Sequence, residues 1–446
     1  MTQPTQASPT PSDAASDLPS LPRRRGCPFD PDPEYARLRE ERPVSRIAFP
    51  SGGSGWLVTR YADARAVLAD PAFSSRLSTG SPHVRRTLIP LPEQALPGAL
   101  LRLDGAEHRS YRRPVIQAFT VRRVQQLRPR IQRIVDEHLD AIEHTARRSG
   151  GAPVDLVAEL ALPVTSLVIC ELLGVRYEDR ATFQGLAGRL LTIDITPEQA
   201  AQARLELGAF LSDLVAAKRL DPGADLLSTL IAQADADPDG PLNDLALTVL
   251  GSLLLIAGHE TTANMISLGA LTLLQHPEQL AALRAEPALA DRAVEELLRH
   301  LTIIQFGLLR VATRDTAVGG RAIRAGEQVV VALPAANRDP DLGRGAGPEL
   351  GLGAGPDLGL GAGPDAVGLR PDLEQLDITR PPTAHLAFGF GPHQCLGQQL
   401  ARAELQITLT SLFARLPALR LAEPLDQVPF RDDMIIYGVH RLLVTW

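Results

Sequence analysis

The stretch Phe388-Gly-Phe-Gly391-Pro-His393-Gln-Cys395-Leu-Gly397 is a glycine-rich loop carrying a single cysteine. Gly389, Gly391 and Gly397 remove the Cβ atoms that would hold the backbone away from a flat ligand. From Leu396 onward, Leu-Gly-Gln-Gln-Leu-Ala-Arg-Ala-Glu-Leu-Gln-Ile-Thr-Leu has the apolar spacing of a helix. The loop therefore delivers Cys395 to a helix N-terminus. Unpaired N–H groups and the helix dipole there lower a thiol pKa and favour thiolate, which is a soft metal ligand. The plain alternative is a free cysteine buried in a turn, the usual state of a lone cysteine.

The chain around this loop has 446 residues, 44% hydrophobic and 22% charged, as expected of a globular protein with a large core. Aromatics at 4% leave that core to Leu, Ala, Val and Ile. Cys27, Cys170 and Cys395 are scattered and odd in number, which argues against a disulfide framework and fits a reducing, cytoplasmic setting. The N-terminus is rich in Pro, Ser and Thr without an apolar h-region, so no secretory signal is expected. A net charge of -7 argues against bulk nucleic-acid affinity. Lys218 is the single lysine and every other basic residue is arginine. No chemistry asks for that, and a GC-rich coding bias accounts for it.

Three further constellations precede the cysteine. His108 and Arg112 are spaced i, i+4 and share one helix face. The apolar run from Leu247 is interrupted by Ala257-Gly258-His259-Glu260-Thr261-Thr262. Charged groups are expensive inside a membrane, so Leu242 to His276 reads as the core helix of a large domain. A metalloprotease helix is excluded, because Ala263 stands where a second histidine is required. Glu296 and Arg299 form an i, i+3 pair on a third helix.

Phe388, Gly391, Cys395 and Gly397 fill every fixed position of Phe-x-x-Gly-x-x-x-Cys-x-Gly, the haem-ligand loop of the cytochrome P450 family. With the other constellations in order, the chain resembles soluble actinomycete members of that family over about residues 27–446. The resemblance implies a mainly α fold with small β-sheets, the cytochrome P450 fold, built as a single large domain. Residues 1–22 would be a disordered tail and 23–446 the haem domain. It implies haem b as cofactor, with the Cys395 thiolate as the metal ligand. His108, Arg112, Arg310 and His393 would bind the haem propionates, where a guanidinium can grip a carboxylate bidentately. On the dioxygen side, Gly258 would clear space, Thr261 would supply a hydroxyl and Glu260 would relay protons. Glu296 and Arg299 would form a structural lock behind the cysteine loop, with Arg338 or Arg380 as third member. The helix pair Phe183 to Ile195 and Thr196 to Leu220 would be a movable roof. Ile303 to Leu309 and Met434 to Tyr437 would border the substrate.

Elsewhere the sequence predicts a short helix at 33–41 with Asp32 as cap, two strands around the turn after Pro50, and a helix from Tyr61 stopped by Pro71. Residues 74–100 read as a long loop. Arg23-Arg24-Arg25 reads as a solvated basic run. Arginines 109, 112, 113, 122, 123, 128, 130 and 133 fall between Glu107 and Asp136 without an intervening carboxylate. Most suit a solvated face, and together they suit docking of an acidic electron carrier. Residues 343–370 repeat Gly-Ala-Gly-Pro with a period of eight. Such a Gly/Pro-rich low-complexity insert cannot bury a core, is expected to be flexible, and departs from the family.

The implied activity is that of a haem-thiolate monooxygenase inserting one oxygen atom of O2 into a lipophilic substrate by hydroxylation or epoxidation. A macrolide, another polyketide or some other secondary metabolite is the implied substrate class. No flavin or NADPH domain is attached, so ferredoxin and an NAD(P)H-dependent ferredoxin reductase would supply electrons. A monomer with no membrane span and no nucleic-acid partner is expected. The rivals are a peroxide-dependent or ring-coupling haem-thiolate enzyme and a non-catalytic haem-binding partner protein. The intact Glu260–Thr261 pair favours dioxygen, and the presence of Thr261 and Cys395 argues against the non-catalytic protein.

Overall fold

The computed structural model describes residues 18–50, 52–77, 94–342 and 372–446. The first helices are α1 (Glu34–Glu41), α2 (Tyr61–Ala69), α3 (Gly105–Ile116), α4 (Val121–Arg148) and α5 (Leu162–Leu173). Then come α6 (Arg180–Leu191), α7 (Pro197–Leu220), α8 (Leu226–Ala236) and α9 (Asp244–Gln275). The last are α10 (Pro277–Ala285), α11 (Ala290–Leu301), α12 (Leu333–Ala336) and α13 (Gln398–Arg415). The strands are β1 (Val44–Ala48), β2 (Ser54–Val58), β3 (Phe73–Ser74), β4 (Val154–Asp155), β5 (Leu308–Ala312), β6 (Thr316–Val318), β7 (Arg321–Ile323), β8 (Gln328–Val331), β9 (Arg420–Leu421) and β10 (Leu443–Thr445).

The helix α9 is the axis of the fold. Its apolar residues cover the whole circumference, which suits a helix enclosed by others. The α5, α6, α7 and α13 helices all pack against it. Its first turn is capped by Asn243, whose side chain accepts from the Ala246 N–H at 2.9 Å. By length and composition it could cross a membrane, but half of its most apolar window is buried. Buried His259, Glu260 and Asn264 interrupt it.

The main sheet has the order β1-β2-β8-β5-β3. It combines the antiparallel β1–β2 hairpin with a parallel β2–β8 pair. The sheet carries Arg310 on β5 to one side of the cysteine loop. A three-stranded sheet, β4-β10-β9, closes the C-terminal end, and β6–β7 is a separate hairpin. The helix pair expected between Phe183 and Leu220 is α6 and α7. A full capping box at Thr196 and Gln199 starts α7, with Pro197 at its first position.

Most of the expected elements are present, with local corrections. The N-cap of α1 is Pro33 rather than Asp32, and Asp32, one residue earlier, accepts from the Glu34 N–H at 2.9 Å. The expected tail boundary at residue 22 is too late. Ser20 bridges to Ala48, the Ala48 N–H donates to Pro19, and Leu21 is buried. The basic run is not simply solvated either. The Arg23 guanidinium lies 4.8 Å from the Phe306 ring centroid and that of Arg25 3.7 Å from the Tyr437 ring. Of the long 74–100 segment, β3 and a turn at Leu100–Arg102 are seen. The repeat insert at 343–370 lies outside the described residues.

Candidate active site

The cysteine loop is held by its own backbone. The Cys395 N–H donates to Phe388 O at 2.9 Å and the Gly389 N–H to Leu386 O at 2.8 Å. Gly389 and Gly391 have φ of 71° and 72°, a region that disfavours side chains. A Cβ on Gly391 would sit 2.6 Å from Leu68 O, so glycine lets the loop close against α2. The aromatic ends are clamped by cations: Arg402 lies 4.6 Å from the Phe388 ring and Arg65 4.4 Å from that of Phe390.

Cys395 stands three residues before the first residue of α13, and its side chain is exposed. The expectation of a depressed thiol pKa is not met by the protein groups around it. Burial pushes the thiol up, and the Gly397 N–H, Arg112, Arg402 and the Gln398 N–H pull it back only in part. A thiol in such surroundings becomes thiolate when a cation binds it.

Donors from three elements gather beside this loop. Arg112 on α3 donates through Nη2 to Gln394 O at 2.5 Å. His108, one turn earlier, packs against His393 of the loop, with ring centroids 4.2 Å apart and the planes tilted by 38°. Burial, then His393 and Arg112, lower the His108 pKa to about 4, so it is neutral at pH 7. Arg310 on β5 is 6% exposed and donates to the carbonyl of its neighbour Leu309 at 2.9 Å. Burial lowers its pKa, while Asp104 acts in the opposite direction. Asp104 itself accepts from Ser74, from the Ser75 N–H and from His393 at 3.4 Å. Although burial alone would raise it, those donors hold its carboxyl well below the usual range. Sequence reading missed Asp104, which resembles an ordinary helix start. Among the described residues, this one carboxylate is shared by several cationic or donor groups. The set therefore fits a ligand bearing further carboxylates beside a metal that binds sulfur.

On α9, Leu253, Ala257 and Thr261 are accessible at i, i+4 and i+8, whereas every other residue from His259 to Leu273 is buried. Because α9 is enclosed by helices, this stripe lines an interior cleft. The Thr261 hydroxyl donates to Ala257 O at 2.8 Å, leaving its oxygen free to accept. Gly258 serves differently from expectation. A Cβ there would lie 2.5 Å from Ile169 Cδ1, so the glycine brings α5 close to α9. Glu260 is buried and paired with Arg431 of the C-terminal loop, which sequence reading did not single out.

Behind the loop, Arg299 makes a bidentate pair with Glu296, both contacts at 2.7 Å. Arg299 also donates to Asn337 O and Leu373 O. Of the two candidates for third member, Arg380 is the one that reaches Glu296, at 3.4 Å. Arg338 instead bonds Asp30, Glu374 and His300 O.

A cysteine presented by a cation-clamped glycine loop beside a set of buried cationic donors is the arrangement of a haem-thiolate protein. The statistical model of the family described as "Cytochrome P450" matches residues 212–342 and 369–431. Cytochrome P450-SU2 of Streptomyces griseolus is 44% identical over 95% of this chain and 96% of its own length. Pentalenic acid synthase of Streptomyces avermitilis is 46% identical over 96% of this chain and 97% of its own. The crystal structure of CYP105P1 in complex with filipin I superposes with a TM-score of 0.84 at 46% identity, covering 96% of this chain and 99% of that one. This chain belongs to the cytochrome P450 family and is a monooxygenase with a haem-thiolate centre.

Proposed function

We propose that this P450 hydroxylates or epoxidises a lipophilic secondary metabolite in the cytoplasm, with haem b seated on Cys395. The observation that carries the reading is the accessible Cys395 beside Arg112, with Arg310, His108 and His393 gathered around Asp104, the one carboxylate they share among the described residues. Arg112 and Arg310 would grip the porphyrin carboxylates, and His108 and His393 would donate to them. The bound haem would supply the dioxygen chemistry, with electron donation from the thiolate. Thr261 would offer its oxygen to the cleft, and Glu260 would carry protons towards it. Pentalenic acid synthase and the filipin I complex among the relatives support a lipophilic product of secondary metabolism, with a macrolide or other polyketide included.

Ferredoxin and its NAD(P)H-dependent reductase would supply electrons. Arg109, Arg113, Arg122, Arg123 and Arg133 are exposed without a carboxylate partner among the described residues, and exposed Ile116 lies among them. An apolar residue ringed by cations suits an acidic partner surface.

The test is spectroscopic. The reduced carbon monoxide adduct should show the red-shifted thiolate Soret band, and Cys395→Ala should lose it together with oxygenation. A wild-type adduct without that band, or oxygenation by the alanine variant, would end the proposal. A panel of lipophilic compounds scored by Soret shift would then narrow the substrate. Turnover with ferredoxin, reductase and NADPH, against peroxide alone, separates the dioxygen route from the peroxide route.

A further inference from the structure

Behind the cysteine, a guanidinium, a carboxylate and an imidazole form a closed set. Arg402 follows Cys395 on α13, and Glu295 lies on α11, which packs against α13. Arg402 grips Glu295 with two parallel bonds, Nε to Oε1 at 2.6 Å and Nη2 to Oε2 at 2.9 Å. Its Nη1 donates to Gln398 Oε1 at 3.0 Å. Its guanidinium carbon lies 4.6 Å from the Phe388 ring centroid, and the Phe388 carbonyl accepts from the Cys395 N–H. The Arg402 and Glu295 side chains are only 15% and 17% exposed, so water screens the pair little.

His385, at the entry to the cysteine loop, completes the set. Its Nδ1 accepts from the Ala387 N–H at 3.2 Å, so the ring proton sits on Nε2 and is donated to Glu295 Oε2 at 3.2 Å. The ring therefore orients the carboxylate and adds no charge. His385 and Arg402 keep Glu295 ionised, bringing its pKa down to about 2 against the effect of burial. The set sums to zero, one positive and one negative charge beside a neutral ring. Arg112, the other cation that acts on the Cys395 sulfur, pairs with no carboxylate among the described residues. Its charge is left for a ligand, whereas that of Arg402 is cancelled inside the protein.

We infer that Glu295 sets the reduction potential of the iron held by Cys395, by cancelling the charge of Arg402 behind the sulfur. The inference rests on the haem-thiolate reading and deepens it by naming what regulates that centre. The step concerned is the passage of one electron from a reduced carrier protein to ferric iron. The carrier is oxidised, the iron becomes ferrous, and no bond forms or breaks. Reduction adds negative charge to the centre, so an uncancelled cation beside it favours the ferrous state, and more strongly where water is scarce. With Glu295 in place, the Arg402 fork holds Phe388 and the loop without that bias. Glu295 acts through Arg402, and His385 through Glu295, so both are positioning residues.

Spectroelectrochemical titration of the ligand-free holoproteins tests this. Glu295→Gln should titrate at a higher potential than wild type, a several-fold shift of the equilibrium towards ferrous iron. Glu295→Asp keeps the charge and should stay near wild type. Arg402→Met should titrate below wild type. Arg402→Met/Glu295→Gln loses both charges and should return towards wild type, whereas loss of loop support alone would leave it displaced as far as the single variants. Glu143→Gln removes a carboxylate from Arg415 at the far end of α13 and should leave the potential unchanged. The carbon monoxide adduct counts the loaded fraction of each variant, and the titration reads that fraction alone. Equal potentials in wild type and Glu295→Gln, or a double variant displaced as far as Glu295→Gln, would overturn the inference. Should Glu295→Gln not accumulate, Arg402→Met must lie below the double variant, and equal values there would overturn it too. A wild-type adduct without the thiolate signature would end the underlying reading and the inference with it, whereas a normal adduct with unmoved potentials would end the inference alone.

Discussion

Arg380 donates to Glu296 Oε1 at 3.4 Å, the same oxygen that accepts from Arg299 Nη2 at 2.7 Å and from the Asp377 N–H at 3.0 Å. One carboxylate thus ties α11 to the segment that leads into the cysteine loop. Arg299→Ala strands Glu296 in the interior. Loss of one partner of a buried pair costs about 3–5 kcal/mol, so folded holoprotein should nearly vanish. Arg380→Ala removes the longest of the three contacts to Glu296 and the Arg380 bond to Asp372 O at 2.9 Å, and should cost about 1–2 kcal/mol. Urea midpoints and the yield of carbon monoxide adduct per protein check both.

A second carboxylate sets an acid limit. Burial alone would raise Glu295, but His385 at 3.2 Å and Arg402 at 2.6 Å bring it down to about 2. Its folded pKa lies below the unfolded value, so the associated stability is present above pH 4.5 and is lost as pH falls towards 2. A lowering of that size corresponds to about 3 kcal/mol. Glu295→Gln should destabilise the protein at pH 7 and flatten the loss of stability between about pH 4.5 and 2. Melting temperature against pH for the two proteins tests this.

The basic face yields a kinetic prediction. Arg113→Glu and Arg122→Glu should each raise the KM for ferredoxin several-fold, and the effect should shrink with added salt. Ligand-induced Soret shifts should be unchanged, because neither residue joins the site. Steady-state turnover at varied ferredoxin and salt reads the first, and ligand titration the second.

The N-terminal segment gives another. Arg25 covers Tyr437, whose N–H donates to Ile303 O at 2.9 Å. Arg25→Ala should lose about 1 kcal/mol of stability. It should also weaken ligand-induced Soret shifts, because Tyr437 and Ile303 join the two segments expected to border the substrate. Unchanged ligand titrations would restrict Arg25 to a purely structural role.

Local signals carried much of the fold. The cysteine loop is dense in residues with backbone meaning, and α9 shows its polar notch as a break in an apolar run. The hairpin β1–β2 follows from two apolar runs around a Gly-rich turn, and the helix from Thr196 from its periodicity. What sequence could not show was pairing across distance. Arg431 sits in a loop with nothing to link it to Glu260, since that contact arises only when Gly438 presses against Asn264. Arg338 and Arg380 look alike in sequence and differ only in which carboxylates tertiary packing places beside them. Gly258 was read for the space it opens on the cleft side, while its absent side chain points towards Ile169 on a helix remote in sequence. The thiol pKa was judged from the helix terminus alone, and burial outweighed it.

Lys218 pairs with Asp225 at 2.6 Å, with both side chains about a tenth exposed, and so joins the end of α7 to the start of α8. Since it is the only lysine, and its ammonium is buried against Asp225, amine-directed reagents meet no exposed lysine side chain in the folded protein. A lysine introduced at a chosen surface position would then be the one exposed lysine, and a fluorophore or surface tether coupled through it would leave the arginine face and the cleft unmodified.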